Sequence, residues 1–421
     1  MNREEYLDAT YDMFLGSISG EAAESARFGE WRRAVEADDL FGFDTCRRGA
    51  QRPEVGLTRT TGRALEVINL SSYNYLGLGY HPDVIEAAKR ALDQYGLGAA
   101  SSPVHGGTLG VHAELRDRLL SLIDLPDRGA SIFSSGYAVN TGTLTALVKK
   151  HDRVLLDRAA HMSMLEGAQL SRAHVAYFEH NDADELAALL DEDPGRRTLV
   201  CTEGVFSADG DFGSIGRIVE VSKSRGAKVL VDEAHSFGVA GARGCGVAEV
   251  AGVLDEVDLL VLTFSKALGG VGGAVVAKND VARYIDWYAR CRMFSCAIDP
   301  AVSGGVAKAL EIVASAEGAA RRARVEANAA HLRARLAEHV DLGRSESWIV
   351  TVQYGDEALT LPLLDHLQRA GLDASVMQFP AAPIMEARLR LFVTSEHTTA
   401  QLDRAAELVR DAATRFGFAR A

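Results

Sequence analysis

Long apolar runs are missing from this chain. Nowhere in its 421 residues does one approach the roughly 20 needed to cross a bilayer as a helix. Paired cysteines are missing too: the five present (Cys46, Cys201, Cys245, Cys291, Cys296) are scattered and form no CxxC. That removes a disulfide frame and a zinc site, fits reduced thiols, and leads us to expect no metal. Positive charge is in deficit, and a net charge of −13 argues against a nucleic-acid or anionic-membrane surface. The opening MNREEYLDATYDMF is acidic and lacks a signal-peptide core, so a cytoplasmic location is expected. No GxGxxG follows the first strand, which weakens a Rossmann oxidoreductase reading. No fixed-period repeat appears. What is left, 47% hydrophobic and 24% charged residues, suits an ordinary folded enzyme large enough for two domains.

What is present centres on Leu259 to Lys278, LLVLTFSKALGGVGGAVVAK. Leu259 to Leu262 reads as a buried strand and Ala274 to Ala277 as its return. Between them stand Thr263, Ser265 and Lys266, then Gly269, Gly270, Gly272 and Gly273. A lysine at the polar end of a buried strand, walled by small residues, has room beside it for a flat ligand. Partial desolvation lowers its proton affinity and frees the amine as a nucleophile or Schiff-base former. The plainer alternative is a strand-end lysine snorkelling to water beside a glycine hairpin.

Along the chain, Glu21 to Glu36 reads as a helix and Cys46 to Gly62 as an irregular link. The first clear strand is Ala64–Leu70, followed by a helix over Pro82–Tyr95. From Ala130 onward strand candidates at 130–134, 153–157, 174–179, 197–202, 228–232, 259–263 and 273–277 alternate with helical patterns. That is the signature of an α/β fold, a mainly parallel seven-stranded sheet with helices on both faces. After Pro300 comes a long helical run (Val302 to His339), then strands and helices of a smaller α+β domain. The expected division is 1–63 as an N-terminal helical and irregular segment, 64–300 as the large domain and 301–421 as the small one. Arg321, Arg322, Arg324, Arg333 and Arg335 form a basic cluster, either a docking patch for an acidic carrier or a solvated helix face.

In an open α/β sheet ligands sit at the carboxyl ends of strands. Here those ends carry Ser134, Ser135, Gly136 and Tyr137 before a helix, Asp157 with His161, Glu203 with Ser207, Asp232 with His235, and Thr263, Ser265 and Lys266. Small residues before a helix N-terminus make an anion site. Singly, Asp232 could be a helix cap and His161 a surface histidine. Together the set offers an anion cradle, a carboxylate to keep a ring nitrogen protonated and an amine to form an imine, which describes a pyridoxal 5′-phosphate (PLP) site.

The motifs SSYNYLGLGYHPDVI, FSSGYAVN, DRAAHMSMLEG, FEHND, TEGVFSADGD, VLVDEAHSFG, TFSKALGGVGGAVV and ARLRLFVTSEHT occur in family order from about Leu70 to Leu408. Through them the chain resembles the α-oxoamine synthase family of fold-type I PLP enzymes. The resemblance implies that Lys266 forms the Schiff base and later carries a proton. It implies that Asp232 pairs with the ring nitrogen, His235 bonds the ring oxygen and His161 stacks on the ring. Ser135, Gly136, Tyr137, Glu203, Ser207, Thr263 and Ser265 would complete the cofactor seat. Arg390, with Thr394, Tyr73 and Asn74, would hold the amino-acid substrate.

The implied reaction is a decarboxylative Claisen condensation of an α-amino acid with an acyl thioester, giving an α-amino ketone, carbon dioxide and free thiol. A homodimer is implied, with coenzyme A or an acyl carrier protein presenting the acyl group. An aminotransferase or carbon–carbon lyase on the same fold, or a catalytically inactive partner subunit, are the alternatives. The chain departs from the family pattern at Pro103, Arg116 and Cys296, departures that bear on the thioester partner and not on the cofactor set.

Overall fold

The computed structural model describes residues 21–379 and 381–420, so the acidic opening lies outside the described residues. The chain divides into two compact units. One comprises Tyr73–Ser207 and Asp211–Ala323; the other takes the chain up to Ser72, Ala208–Gly210 and everything from Arg324.

The first unit is built on seven strands: β4 (Arg128–Phe133), β5 (Arg153–Asp157), β6 (His174–Phe178), β7 (Thr198–Glu203), β8 (Lys228–Asp232), β9 (Leu259–Thr263) and β10 (Gly273–Lys278). Their order is β4-β10-β9-β8-β7-β5-β6. Only β10 runs against its neighbours, pairing antiparallel with both β4 and β9. The carboxyl ends of β4, β9, β8, β7, β5 and β6 therefore share one edge.

Side chains alternate across the sheet. Val154, Leu156, Leu199 and Cys201 point to one face with residues of α4 (Gly136–Leu147), α5 (Met162–Ser171) and α9 (Asn279–Tyr288). Leu155 and Val200 point to the other, against Leu186 and Leu190 of α6 (Ala183–Glu192) and Ile218 and Val221 of α7 (Ile215–Ser224). Burial on both faces explains why these strands read as unbroken apolar runs. Each fully buried leucine contributes about 1.5–3 kcal/mol.

The second unit has a six-stranded sheet in the order β1-β2-β3-β12-β13-β11. The strands are β1 (Cys46–Arg48), β2 (Glu54–Thr58), β3 (Ala64–Leu70), β11 (Ile349–Gly355), β12 (Leu372–Met377) and β13 (Ala387–Phe392). Three expectations are corrected here. Cys46 to Gly62 contains β1 and β2, not an irregular link alone; CRR has no apolar residue beyond its cysteine and EVGLT has two around a glycine, so neither carries a strand pattern. The strand β3, expected from the sequence in the large domain, pairs parallel with β12, Ile68 opposite Leu372. Hydropathy identifies a strand but not its partner. The run from Val302 to His339 is two helices, α11 (Pro300–Val313) and α12 (Ala316–Leu336), and the division between units falls within α12.

The arginine cluster is not one surface patch either. Arg322 is buried and donates to the carbonyls of Val313 (2.8 Å) and Ala242 (2.6 Å). Arg321 reaches Leu76 O at 2.8 Å and Arg333 reaches Ser347 O. Arg335 pairs with Asp403 at 3.0 Å. Arg321, Arg322 and Arg333 thus serve as carbonyl clamps, while Arg324 and Arg335 stay half-exposed in local ion pairs with Glu396 and Asp403.

Among the described residues no helix is long and apolar enough to cross a membrane, and no group of three or more His, Cys, Asp or Glu side chains is placed to hold a metal ion.

Candidate active site

Backbone bonds beyond the end of β9 shape the lysine turn. Phe264 N donates to Gly272 O and Gly270 N to Phe264 O, each at 2.8 Å, closing a tight loop that carries Ser265 and half-buried Lys266. Gly269 has φ +68°, and a Cβ there would stand 2.2 Å from the backbone nitrogen of Gly79, so this turn accepts no side chain. Thr263 Oγ1 lies 2.7 Å from Ser265 Oγ and donates to Gly272 O at 3.1 Å.

The end of β4 meets the same place. Ser135 caps α4, its hydroxyl accepting from Ala138 N at 3.1 Å. A Cβ on Gly136 would come within 3.0 Å of Thr263 Oγ1, so only glycine leaves the two strand ends this close. Tyr137 hydrogen-bonds Glu166, which raises its phenol to about 12. Ser135, Gly136, Tyr137, Thr263 and Ser265 thus gather at a helix start, the kind of place where backbone N–H groups can receive an anion.

Beside it stand two buried acids. Glu203 and Asp232 are register partners at the ends of β7 and β8. Asp232 is fixed from both sides: Oδ2 accepts from Asn140 Nδ2 at 2.7 Å, and Oδ1 from Ala234 N at 2.9 Å. Burial and the adjacent Asp232 carboxylate push Glu203 well above the usual carboxylate range, against the opposing pull of the His161 N–H (2.5 Å) and of Lys266. His161 caps α5, accepting from Ser163 N at 3.2 Å, with its ring edge-on to Tyr137, centroids 6.2 Å apart. His235 is buried, its Nδ1 2.7 Å from the hydroxyl of fully buried Tyr75, with Tyr73 edge-on at 5.9 Å. Ser207 is half-buried in the hairpin that Val205 and Phe212 close.

Asn74 is turned to local duty, its Oδ1 accepting from Gly79 N at 3.1 Å. Arg390 and Thr394 belong to the other unit. On β13, Arg390 donates to Ser375 Oγ at 3.0 Å and lies 5.3 Å from the centroid of the Phe392 ring. Thr394 is buried against His397, with 3.0 Å between Oγ1 and Nδ1.

Four residues without a role in the sequence-based expectation prove central: Tyr75, Asn140, Ser163 and His180. His180, from the FEHND segment after β6, is held between Asp157 (2.9 Å) and Asp211 (2.7 Å), with Phe206 edge-on at 4.4 Å. Burial opposes its charge, yet the two carboxylate hydrogen bonds prevail and hold its pKa at about 9. This cation ties the ends of β5 and β6 to the hairpin bearing Ser207. Its folded pKa exceeds the ordinary 6.5, so the stability it contributes is complete below about 6.5 and is lost as pH rises through about 9. We expect the melting temperature to fall across that window in the wild type, and His180→Gln to lose that component of the slope. Thermal melts at both ends of the window test this; an unchanged slope in the variant refutes it.

A helix-start anion site and the buried carboxylate of Asp232 thus stand in one unit, a combination that suits a ligand with an acidic group and a basic nitrogen. Asn140 Oδ1, buried without a hydrogen-bond partner, marks a polar acceptor still open there.

Comparison with known proteins agrees. Residues 66–409 match the family described as aminotransferase class I and II. The chain is 39% identical over 348 residues to the 8-amino-7-oxononanoate synthase of Geobacter metallireducens, covering 82% of this chain and 88% of that one. The serine palmitoyltransferase of Sphingomonas wittichii superposes with a TM-score of 0.86 at 31% identity, over 93% of this chain and 97% of that one. A serine palmitoyltransferase of S. paucimobilis with bound PLP-myriocin aldimine gives 0.87 at 30% identity, over 94% and 98%.

Proposed function

Since this chain belongs to the aminotransferase class I and II family, in its α-oxoamine synthase branch, we propose that the residues above carry a PLP-dependent decarboxylative condensation. The substrates are an α-amino acid and an acyl thioester; the products are an α-amino ketone, carbon dioxide and free thiol. Bound PLP supplies the electron sink that makes the amino acid's α-carbon a nucleophile.

The remaining work falls to side chains. Lys266 would hold the cofactor covalently through Nζ and, once the substrate's amine has displaced it, would take the substrate's α-proton. Asp232 Oδ2 and Oδ1, already oriented by Asn140 and Ala234, keep the ring nitrogen protonated by holding a negative charge against it in a buried place. His235, braced by Tyr75, would bond the ring oxygen, and His161 would stack on the ring. Ser135, Gly136, Tyr137, Thr263 and Ser265 seat the phosphate, while Glu203 and Ser207 complete the wall. Arg390, through its fork, and Thr394 in one unit, and Tyr73 and Asn74 in the other, are the residues proposed to hold the amino-acid substrate.

The observation that carries this reading is the buried Asp232 carboxylate, locked by two donors on the strand next to β9, whose following turn bears Lys266. We further propose a cytoplasmic homodimer, in keeping with five free cysteines, that takes its acyl group from coenzyme A or an acyl carrier protein.

The test is release of labelled carbon dioxide from a carboxyl-labelled amino acid, with the acyl thioester supplied or withheld. Release that requires both substrates is expected. Turnover with a keto acid in place of the thioester overturns the reading in favour of transamination.

A further inference from the structure

Between His161 and Asp232 the structure holds a continuous chain of hydrogen bonds, buried at its Asn140 links and half-buried where it reaches the exposed His161. Asn140 Nδ2 lies 2.7 Å from Asp232 Oδ2 and 2.9 Å from Ser163 Oγ, and Ser163 Oγ lies 2.7 Å from His161 Nδ1. Asn140 is 1% exposed, Ser163 0% and Asp232 5%. We infer that Asn140 and Ser163 are positioning residues: their relay holds His161 as the tautomer with its proton on Nε2 and locks its ring to the same frame as the Asp232 carboxylate.

The direction of every bond follows from chemistry. An ionised carboxylate only accepts, so the Asn140 atom facing Asp232 is the amide nitrogen, and the amide cannot be the other way round. The second hydrogen of that nitrogen goes to Ser163 Oγ. The serine hydroxyl can still accept or donate, and we assign its hydrogen to His161 Nδ1 because that nitrogen already faces another donor. The backbone N–H of Ser163 faces the same ring nitrogen at 3.2 Å. With two donors aimed at it, Nδ1 is an acceptor, and the imidazole proton sits on Nε2.

Asparagine alone among side chains of this size offers two donors from one planar nitrogen, one for a carboxylate and one for a hydroxyl. An aspartate at 140 would set a second carboxylate against Asp232; a leucine would strand both ends. The negative charge at 232 polarises the amide, which strengthens its bond to the serine. The ring that the proposed reaction places against the cofactor is thereby held in one tautomer and one orientation before any ligand arrives.

This inference rests on the proposed function for its catalytic meaning but not for its first readout. In the cofactor-free protein, nitrogen-15 NMR of labelled histidine reports the tautomer of His161 directly. The wild type is expected to show Nε2–H, with Nδ1 unprotonated. Ser163→Ala is expected to raise the Nδ1–H population several-fold, and Ser163→Thr, which keeps the hydroxyl, to restore the wild-type pattern. In the loaded enzyme Ser163→Ala is expected to lower kcat about 10-fold with little change in the amino-acid KM, the split expected when orientation and not binding is lost. Asn140→Ala is expected to give the same tautomer change and to weaken cofactor binding about 10-fold by withdrawing a donor from Asp232. A proton on Nδ1 in the wild type, or an unchanged spectrum in folded Ser163→Ala, overturns the relay. The expected spectra in a protein that does not take up PLP would support the relay and overturn the functional reading instead.

Discussion

Lys266→Ala is expected to abolish turnover, by at least ~10⁴-fold, the upper range for losing one general base and more once the covalent anchor goes with it. The fold should survive. Lys266 is half-buried at the mouth of the turn, outside the packed clusters on either face of the sheet. The turn itself is closed by the backbone bonds of Phe264, Gly270 and Gly272 and by the close approach of Gly269 to Gly79, none of which involves the lysine side chain. Thermal melts should therefore be near wild type, while the visible absorbance of the bound cofactor changes and borohydride no longer fixes PLP to the chain. Activity within 10-fold of wild type would remove Lys266 from the mechanism. Loss of the fold would show instead that the turn needs its cation against the Glu203 and Asp232 carboxyls.

Asp232→Asn should cost about 10³-fold in kcat, the scale of removing one preorganised electrostatic contact. Shape is conserved and Ala234 N can still donate to an amide oxygen, so cofactor binding should weaken but persist. What is lost is the negative charge that keeps the ring nitrogen protonated. Glu203 gives a second readout. Part of its upward shift comes from Asp232, so in the variant Glu203 ionises more readily. Its carboxyl stands in register beside position 232 and restores some negative potential there. Asp232→Asn with Glu203→Gln should then be less active than Asp232→Asn alone, by more than Glu203→Gln costs in the wild type. Exchange of the substrate α-proton with solvent measures the charge effect without the thioester. Exchange at the wild-type rate in Asp232→Asn would count against the assigned role.

The sequence showed the large sheet because burial on both faces left each of its strands as an unbroken apolar run, ended abruptly by polar residues. Asp157, Glu203, Asp232 and Thr263 mark those ends, and the parallel order places them on one edge. Local polarity told less about the other unit. β1 is two arginines and a cysteine, β2 is interrupted by Gly56, and β3 could be read as a strand but not assigned to the sheet of β12. The relay was hidden for a different reason. Asn140 sits one helical turn beyond Gly136, Ser163 two residues beyond His161, and only the packing of α4 on α5 makes them neighbours. His180 looks like any polar residue after a strand until Asp157 and Asp211 close on it from separate segments. The arginines of α12 mislead in the opposite sense, since a count of charges cannot show that Arg321, Arg322 and Arg333 fold back onto carbonyl oxygens.

The one reversed strand has a consequence for how the protein is made. β4 is the first strand of the large sheet to leave the ribosome and stands at its border, where among the described residues its only partner is β10, the last of the seven. Phe133 waits for Gly273, and Ser135 and Gly136 wait with it, while every intervening segment is synthesised. The ends of β4 and β9 are thus joined through β10, which pairs with both. A nascent chain halted before Gly273 would leave β4 without the strand it pairs with.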